Sequence, residues 1–386
     1  MQPQKVGYDS FEIIEELEGG AQGRTFHVKL IETGVPYAMK RINYLKKEDK
    51  ERAEKEISQM KKLESKFTVK LTFSFRDRTD IYLVTDYCEK GDLRKVITEL
   101  QTLPEEERVI RVWTILEQTI KALDFLHCNG VIHRDIKPAN IFVMIDGSVK
   151  LGDFGLARDL EGNYYAKEEG TKIYMAAEVF MFKRMDYSTD IFAIGIITTE
   201  LLTGHHPFEA PNEQAMIEKI KSGQHSELPE FVPKELKDLI TAMLSLDAQK
   251  RPSTQQIMQL DTIKMHHKMQ EEEKTKSLRQ AVIDAVEGIL IHYCPRCNLP
   301  FYKDLGGNLI RCLCSCIWCY SCGKEYDKKS IYDHFEKSPT NCKLFDDELT
   351  DKRCIREAAE KAVRDWKAKN SDFTYLTIDI NEFAPQ

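Results

Sequence analysis

The chain has 386 residues, with 42% apolar and 31% charged side chains, an ordinary balance for a globular protein large enough for two or three domains. Its 56 basic and 63 acidic side chains leave a net charge of −7, which argues against general affinity for nucleic acid or an anionic membrane. The opening MQPQKVGYDS lacks the apolar stretch of a signal peptide, and no run of about 18 apolar residues occurs, so a cytoplasmic or nuclear location is expected.

In chain order, FEIIEEL, RTFHVKLI, PYAMKRI, KLTFSF and IYLVTDY are rich in β-branched and aromatic residues and predict five strands within residues 8–87. Between them, KKEDKERAEKEISQMKKLES predicts a helix, with Ile57, Met60 and Leu63 on one face. From about 91 to 265 the pattern is helical, most clearly in VWTILEQTIKALDFLH and DIFAIGIITTELL. This is α+β organisation: a small β-rich lobe over 8–87 and a larger helical lobe over 91–265. Residues 266–291 predict a helical linker, with Leu278, Val282, Ala285 and Ile289 at helical spacing. Eight of the 11 cysteines fall in residues 292–345. The remainder, 346–386, predicts a helix through Ile355, Ala359, Ala362, Val363 and Trp366, then a more extended FTYLTIDI.

HRDIKPAN (133–140), followed by KLGDFG (150–155), is the most specific stretch. Phosphoryl transfer depends mainly on positioning and charge, so it needs few groups. Asp135 is suited to accept a hydroxyl proton, and Asn140 and Asp153 offer hard oxygen ligands for Mg²⁺. Upstream, Lys40 in YAMK can reach the α- and β-phosphates if Glu56 holds it by an ion pair. These residues, with GTKIYMAAE, DIFAIG and QKRPS, resemble the eukaryotic protein kinase signature over residues 8–265. DYCEKGDL, HRDIKPANIF and KLGDFGLAR look most like the NIMA-related (NEK) group.

The resemblance implies a bilobal kinase fold, with ATP and Mg²⁺ as cofactors and Ser/Thr residues of proteins as substrates. Lys137, two residues after the base, and Thr171 fit the serine/threonine class. It implies an ATP site built from Leu17, Gly19, Gly20, Gly23, Thr25, Ala38, Lys40, Asp86 and Cys88, with Thr85 as a small gatekeeper. It also implies that Glu178 pairs with Arg251 and that Asp190 anchors the catalytic loop. Two positions depart from the family pattern: Glu18 replaces the first glycine of the loop, and Ala177 replaces the proline of Ala-Pro-Glu. Arg134 marks kinases that need a negative charge on the activation segment, yet that segment has no serine, and its one threonine is Thr171 beside the substrate site. Glu168, beside Glu169, is expected to supply part of the missing charge.

In a reducing compartment a cysteine cluster points to metal rather than disulfides. The spacing groups Cys294, Cys297, Cys312 and Cys314 as one structural zinc site, and Cys319, Cys322, His334 and Cys342 as a second. Cys316 can replace Cys314 on spacing alone. The segment resembles the IBR/second-RING zinc fold of RING-between-RING ubiquitin ligases. In that family a catalytic cysteine lies five residues before the third zinc ligand, where this chain has Gly307 followed by Asn308 and Leu309. Fold without thioester chemistry is therefore expected, together with a protein partner, of ubiquitin-pathway type on the resemblance. Phe301, Tyr302 and Trp318 are the candidate contact surface, with the alternative that some of these aromatics only pack around the metals. The competing readings are a catalytically weak pseudokinase scaffold and a ligase-related protein.

Overall fold

The computed structural model describes residues 6–17, 24–159, 171–302, 309–320, 323–327, 330–337, 348–370 and 373–383. Five antiparallel strands form the first sheet, β1 (Phe11–Leu17), β2 (Arg24–Leu30), β3 (Pro36–Asn43), β4 (Leu71–Asp77) and β5 (Asp80–Asp86), in the order β1-β2-β3-β5-β4. The two-residue period of the pleat decides what each face does. Val28, Met39, Tyr82 and Val84 bury one face around Phe11, whose ring stacks on Phe75 at 6.0 Å. Ala38 and Lys40, on either side of Met39, therefore project from the other face. Helix α1 (Lys47–Lys62) follows β3, with Glu48 and Asp49 in its first turn and Lys61 and Lys62 in its last, matching the helix dipole. Its buried stripe is Ala53, Glu56, Ile57 and Met60.

The larger lobe is built on α5 (Tyr187–Thr203), which is buried almost all round and so reads as a central core helix. Asp186 and Thr189 close a capping box at its start, and Gly204 ends it at φ 74°, a conformation that favours glycine. Around it lie α2 (Leu93–Leu100), α3 (Glu105–Cys128), α4 (Ala177–Phe182), α6 (Glu213–Ser222), α7 (Lys234–Met243) and α8 (Thr254–Met258). Short strands β6 (Val131–Ile132), β7 (Ile141–Val143), β8 (Val149–Leu151) and β9 (Arg158–Asp159) pair as β6-β9 and β7-β8. They bring 133–140 and 152–155 side by side, as the ring contact of His133 with Phe154 at 5.6 Å records.

Two compact units divide the chain, Met1–His267 and Lys268–Gln386, and the division falls inside α9 (Asp261–Leu290). In the second unit the helix expected as a linker instead forms part of a core. Val282 and Val286 of α9 pack on Ile355 and Ala359 of α11 (Glu348–Lys369), and Trp366 donates its indole N–H to Ser277 at 3.1 Å. The segment expected to be extended instead folds back in turns ending at Ile380–Phe383, with Ile378, Ile380 and Phe383 on the same core. The cysteine-rich part holds hairpin β10 (Ile291–Tyr293) with β11 (Pro300–Tyr302). It also holds the sheet β12 (Leu309–Arg311), β13 (Ile317–Cys319) and β14 (Glu325–Tyr326), and helix α10 (Ser330–Lys337).

Candidate active site and metal centre

Adjacent strands align Leu17 with Thr25, Thr25 with Lys40, and Ala38 with Thr85. The sheet thus gathers the expected roof of a nucleotide site from three separate sequence segments. Lys40 Nζ donates to Glu56 Oε1 at 2.7 Å and lies 3.6 Å from Asp153 Oδ1. Burial disfavours the Lys40 ammonium, but the two carboxylates outweigh it and hold its pKa above the usual lysine value. Thr85 reaches the Ala38 carbonyl at 3.4 Å, and the hinge residue Asp86 is paired with Lys150 at 2.7 Å. Burial pushes the neighbouring Cys88 thiol up to about 12, so it is a neutral packing group. Gly19, Gly20, Gly23 and Glu18 lie outside the described residues, as do Glu168 and Glu169.

Below the roof, Asp135 collects three donors. Lys137 Nζ binds Oδ2 at 2.7 Å, Asn140 Nδ2 binds Oδ2 at 3.0 Å, and the Thr171 backbone N–H binds Oδ1 at 3.0 Å. Burial alone would raise this carboxyl, but Lys137 and the Thr171 amide hold it below the usual range. Lys137 also donates to the Thr171 hydroxyl at 2.9 Å, which ties the catalytic loop to the segment that follows it. Asp153 stands at φ 60°, a left-handed position, with Phe154 fully buried behind it. Arg134 is strained in the same sense, at φ 71°. Asp190 holds that strained turn by accepting the backbone N–H groups of His133 and Arg134, each at 3.0 Å. The Glu178–Arg251 pair is a two-bond fork at 2.7 and 2.8 Å, and Arg251 also lies over the Phe192 ring at 4.9 Å.

The motifs named neither His127, whose Nε2 meets Asp190 at 3.0 Å, nor the pair Tyr174–Glu200. Tyr174 donates to Glu200 at 3.0 Å, and burial pushes the Glu200 carboxyl up to about 7. A glutamate inside the apolar run IFAIGIITTELL was the visible signal for the second of these.

The protein kinase domain family matches residues 11–263, about two-thirds of the chain. This chain belongs to the protein kinase family. Mouse serine/threonine-protein kinase Nek1 is 33% identical over 250 residues, 64% of this chain and 21% of that protein. Rice serine/threonine-protein kinase Nek6 is 33% identical over 254 residues, 65% of this chain and 47% of that protein. The G2-specific protein kinase nimA of Emericella nidulans is 30% identical over 291 residues, 67% of this chain and 41% of that protein. The kinase therefore resembles the NIMA-related group, as its motifs imply, and it spans less than half of each of these relatives. Family membership implies ATP and Mg²⁺ as the working ligands.

A second family, the RNF216 Rcat domain, matches residues 271–358. Within it the sulfurs of Cys294, Cys297, Cys312 and Cys314 all lie within 4.8 Å of one another. Cys297 and Cys312 are 3.4 Å apart, and Cys294 and Cys314 are 3.7 Å apart. Zn–S bonds of about 2.3 Å in a tetrahedron require sulfurs about 3.8 Å apart, so the donor set fits zinc. Although burial opposes it, backbone N–H groups of Cys297 and Arg296 bring Cys294 down to about 6. The Leu299 N–H favours a Cys297 thiolate too, yet the neighbouring sulfurs push that thiol up to about 12. The geometry also separates Cys314 from Cys316, which is fully buried among Cys294, Trp318 and Tyr320.

Of the second proposed set, Cys319 and His334 are described, while Cys322 and Cys342 lie outside the described residues. Of the two roles open to these aromatics, Trp318 takes the packing one: it is fully buried, with Phe301 against it at 5.9 Å. The apolar residues here are so few that the largest aromatic becomes the core. Nothing is described of the Tyr302 side chain or of Gly307.

Proposed function

We propose that this chain phosphorylates serine or threonine on protein substrates, with ATP and Mg²⁺, and that its Rcat domain recruits or positions a protein partner. One observation supports the kinase reading above others: the Lys40–Glu56 and Lys137–Asp135 pairs are both closed, at 2.7 Å each. In that state Lys40 would meet the α- and β-phosphates, while Asp153 and Asn140 would hold Mg²⁺. Asn140 spends its amide N–H groups on Asp135, which leaves its side-chain carbonyl as the metal ligand. The bound metal would neutralise charge that develops on the phosphates. Asp135 would accept the substrate hydroxyl proton, and Lys137 would steady the transferred phosphoryl group while holding the base in place. The test is labelling of a peptide array with radiolabelled ATP, with Asp135→Asn as control. Equal labelling by the two proteins rejects the proposal.

For the Rcat domain we infer two structural zinc ions. Supporting the second is a repeat in the backbone. Cys294 N–H binds Leu299 O at 2.9 Å and Asn298 N–H binds Cys294 O at 2.9 Å; Cys319 with Lys324 (3.0 Å) and Gly323 with Cys319 (2.8 Å) repeat the pattern. Asn298 and Gly323 occupy the same left-handed place in each turn, at φ 58° and 69°. Such a turn aims two cysteines, three positions apart, at one ion. Gly307 offers no thiol, so the domain binds without transferring ubiquitin, and a ubiquitin-pathway protein is the class of partner that the family match favours. Reduced zinc thiolates suit a cytoplasmic or nuclear setting, and no described helix is long and apolar enough to cross a membrane. Elemental analysis yielding no zinc, or discharge of ubiquitin from a charged conjugating enzyme, overturns this reading.

A further inference from the structure

Glu56 lies on α1, so whatever holds α1 against the sheet also holds Lys40. The inner face of the helix is fixed by Ala53, Ile57 and Met60. On its outer side is a polar cluster that phosphoryl transfer does not use. Tyr44, just past β3, donates its hydroxyl to Glu54 Oε1 at 2.5 Å. Arg76 on β4 donates Nη2 to the same oxygen at 2.7 Å and to the Tyr44 hydroxyl at 2.5 Å. The Arg76 guanidinium also lies over the Tyr44 ring, 4.3 Å from its centre, and Lys50 of α1 approaches that ring at 5.5 Å. The bonds from Tyr44 and Arg76 hold the Glu54 carboxyl below its usual range. At about 100° per residue, Glu54 and Glu56 point to opposite sides of α1. Both carboxylates ride on one helix, so a rotation of α1 that draws Glu56 from Lys40 also displaces Glu54 from Arg76 and Tyr44.

We propose that Tyr44, Glu54 and Arg76 are positioning residues, a surface latch between α1, the end of β3 and β4 that keeps Glu56 on Lys40. The proposal rests on the kinase reading above. Glu54 and Arg76 have side chains 51% and 61% exposed, so the latch shifts the balance of helix positions and adds little to folding stability. Single exposed ion pairs set the scale, and each variant should lose about threefold to fivefold in kcat.

The experiment uses the full chain with Glu54→Gln, Arg76→Ala and Tyr44→Phe, and the exchanged pair Glu54→Arg with Arg76→Glu. Each single variant should lower kcat, leave the peptide KM and the thermal midpoint unchanged, and speed amide hydrogen exchange in residues 47–62; the exchanged pair should recover most of both losses. Unchanged exchange in α1, or a fall in thermal midpoint with kcat per folded molecule intact, overturns the latch. Should the wild type show no turnover, the kinase reading fails, and the exchange measurement still decides the latch.

Discussion

The kinase unit and the cysteine-rich segment solve the same problem with different materials. The first buries one large aliphatic cluster that runs from Ala53 of α1 through α3 and α5 to Ile263. The second has a core of Cys294, Cys312, Cys316, Trp318 and Tyr320, with a small neighbouring group of Ile317, Cys319 and Ile331. Apolar burial can hold the kinase unit, but too little apolar surface is available to the segment, and sulfur–metal bonds must replace it. The difference teaches where chemistry can sit. A large core can carry a strained Arg134 and a left-handed Asp153 at a reactive cleft. In the segment, the sulfurs of Cys294, Cys297, Cys312 and Cys314 converge on one point, and Cys316 is packed in the small core.

The sharpest way to break this comparison is to remove the metal. Chelation, or Cys297→Ser, should cost the segment its fold, since structural zinc contributes about 10 kcal/mol or more. Circular dichroism and protease sensitivity should report that loss while intrinsic peptide phosphorylation persists. If a zinc-free chain keeps the segment protease-resistant, the division of labour is wrong.

A smaller effect tests the kinase core. Glu178→Ala leaves Arg251, whose side chain is fully buried, without its carboxylate. Breaking a buried pair in this way costs about 3 to 5 kcal/mol. The denaturant midpoint of the kinase transition should fall accordingly, and the zinc content should stay constant.

Next in size is catalysis itself. Asp153→Asn or Lys40→Met should lower phosphorylation about a hundredfold or more, because each removes a charge aimed at the nucleotide or its metal. The thermal midpoint of Asp153→Asn should hold steady, whereas Lys40→Met leaves the buried Glu56 carboxylate without its partner and should lower it. An Asp153→Asn midpoint that falls in step with activity would make that residue structural.

The smallest effect is a pH slope in the kinase unit. Glu200 is raised to about 7, so its contribution to stability is fully present below the unfolded value of 4.5 and is lost as pH rises through 7. Burial lowers His206 to about 4, so its contribution is present above 6.5 and lost as pH falls through 4. The two oppose each other between pH 6.5 and 4.5 and should flatten the wild-type curve there. Glu200→Gln removes the acid-side gain, so the variant should lose about 2 kcal/mol relative to wild type on going from pH 7 to 5. Parallel stability curves for the two proteins would show that Glu200 titrates normally.

Much of this molecule was legible in its sequence, for two physical reasons. Strand and helix periods are local, so FEIIEEL became β1 and the stripe Ile57, Met60 and Leu63 became a buried face. Phosphoryl transfer and zinc binding each demand few residue types at tight spacing, so Asp135, Asn140 and Asp153, and the two Cys-x-x-Cys pairs, stood out. Tertiary structure decided what depends on partners distant in the chain. It set Cys314 and not Cys316 within the cluster, because two turns 20 residues apart had to meet. It buried Trp318, since a segment poor in aliphatics must use its largest ring as core. It turned the expected linker into half of a helix pair, as an apolar stripe at Val282 and Val286 needs a partner and Ile355 and Ala359 supply it. It joined Tyr44, Glu54 and Arg76, three ordinary surface residues in sequence, because only the packing of α1 on the sheet brings their polar atoms within hydrogen-bond reach.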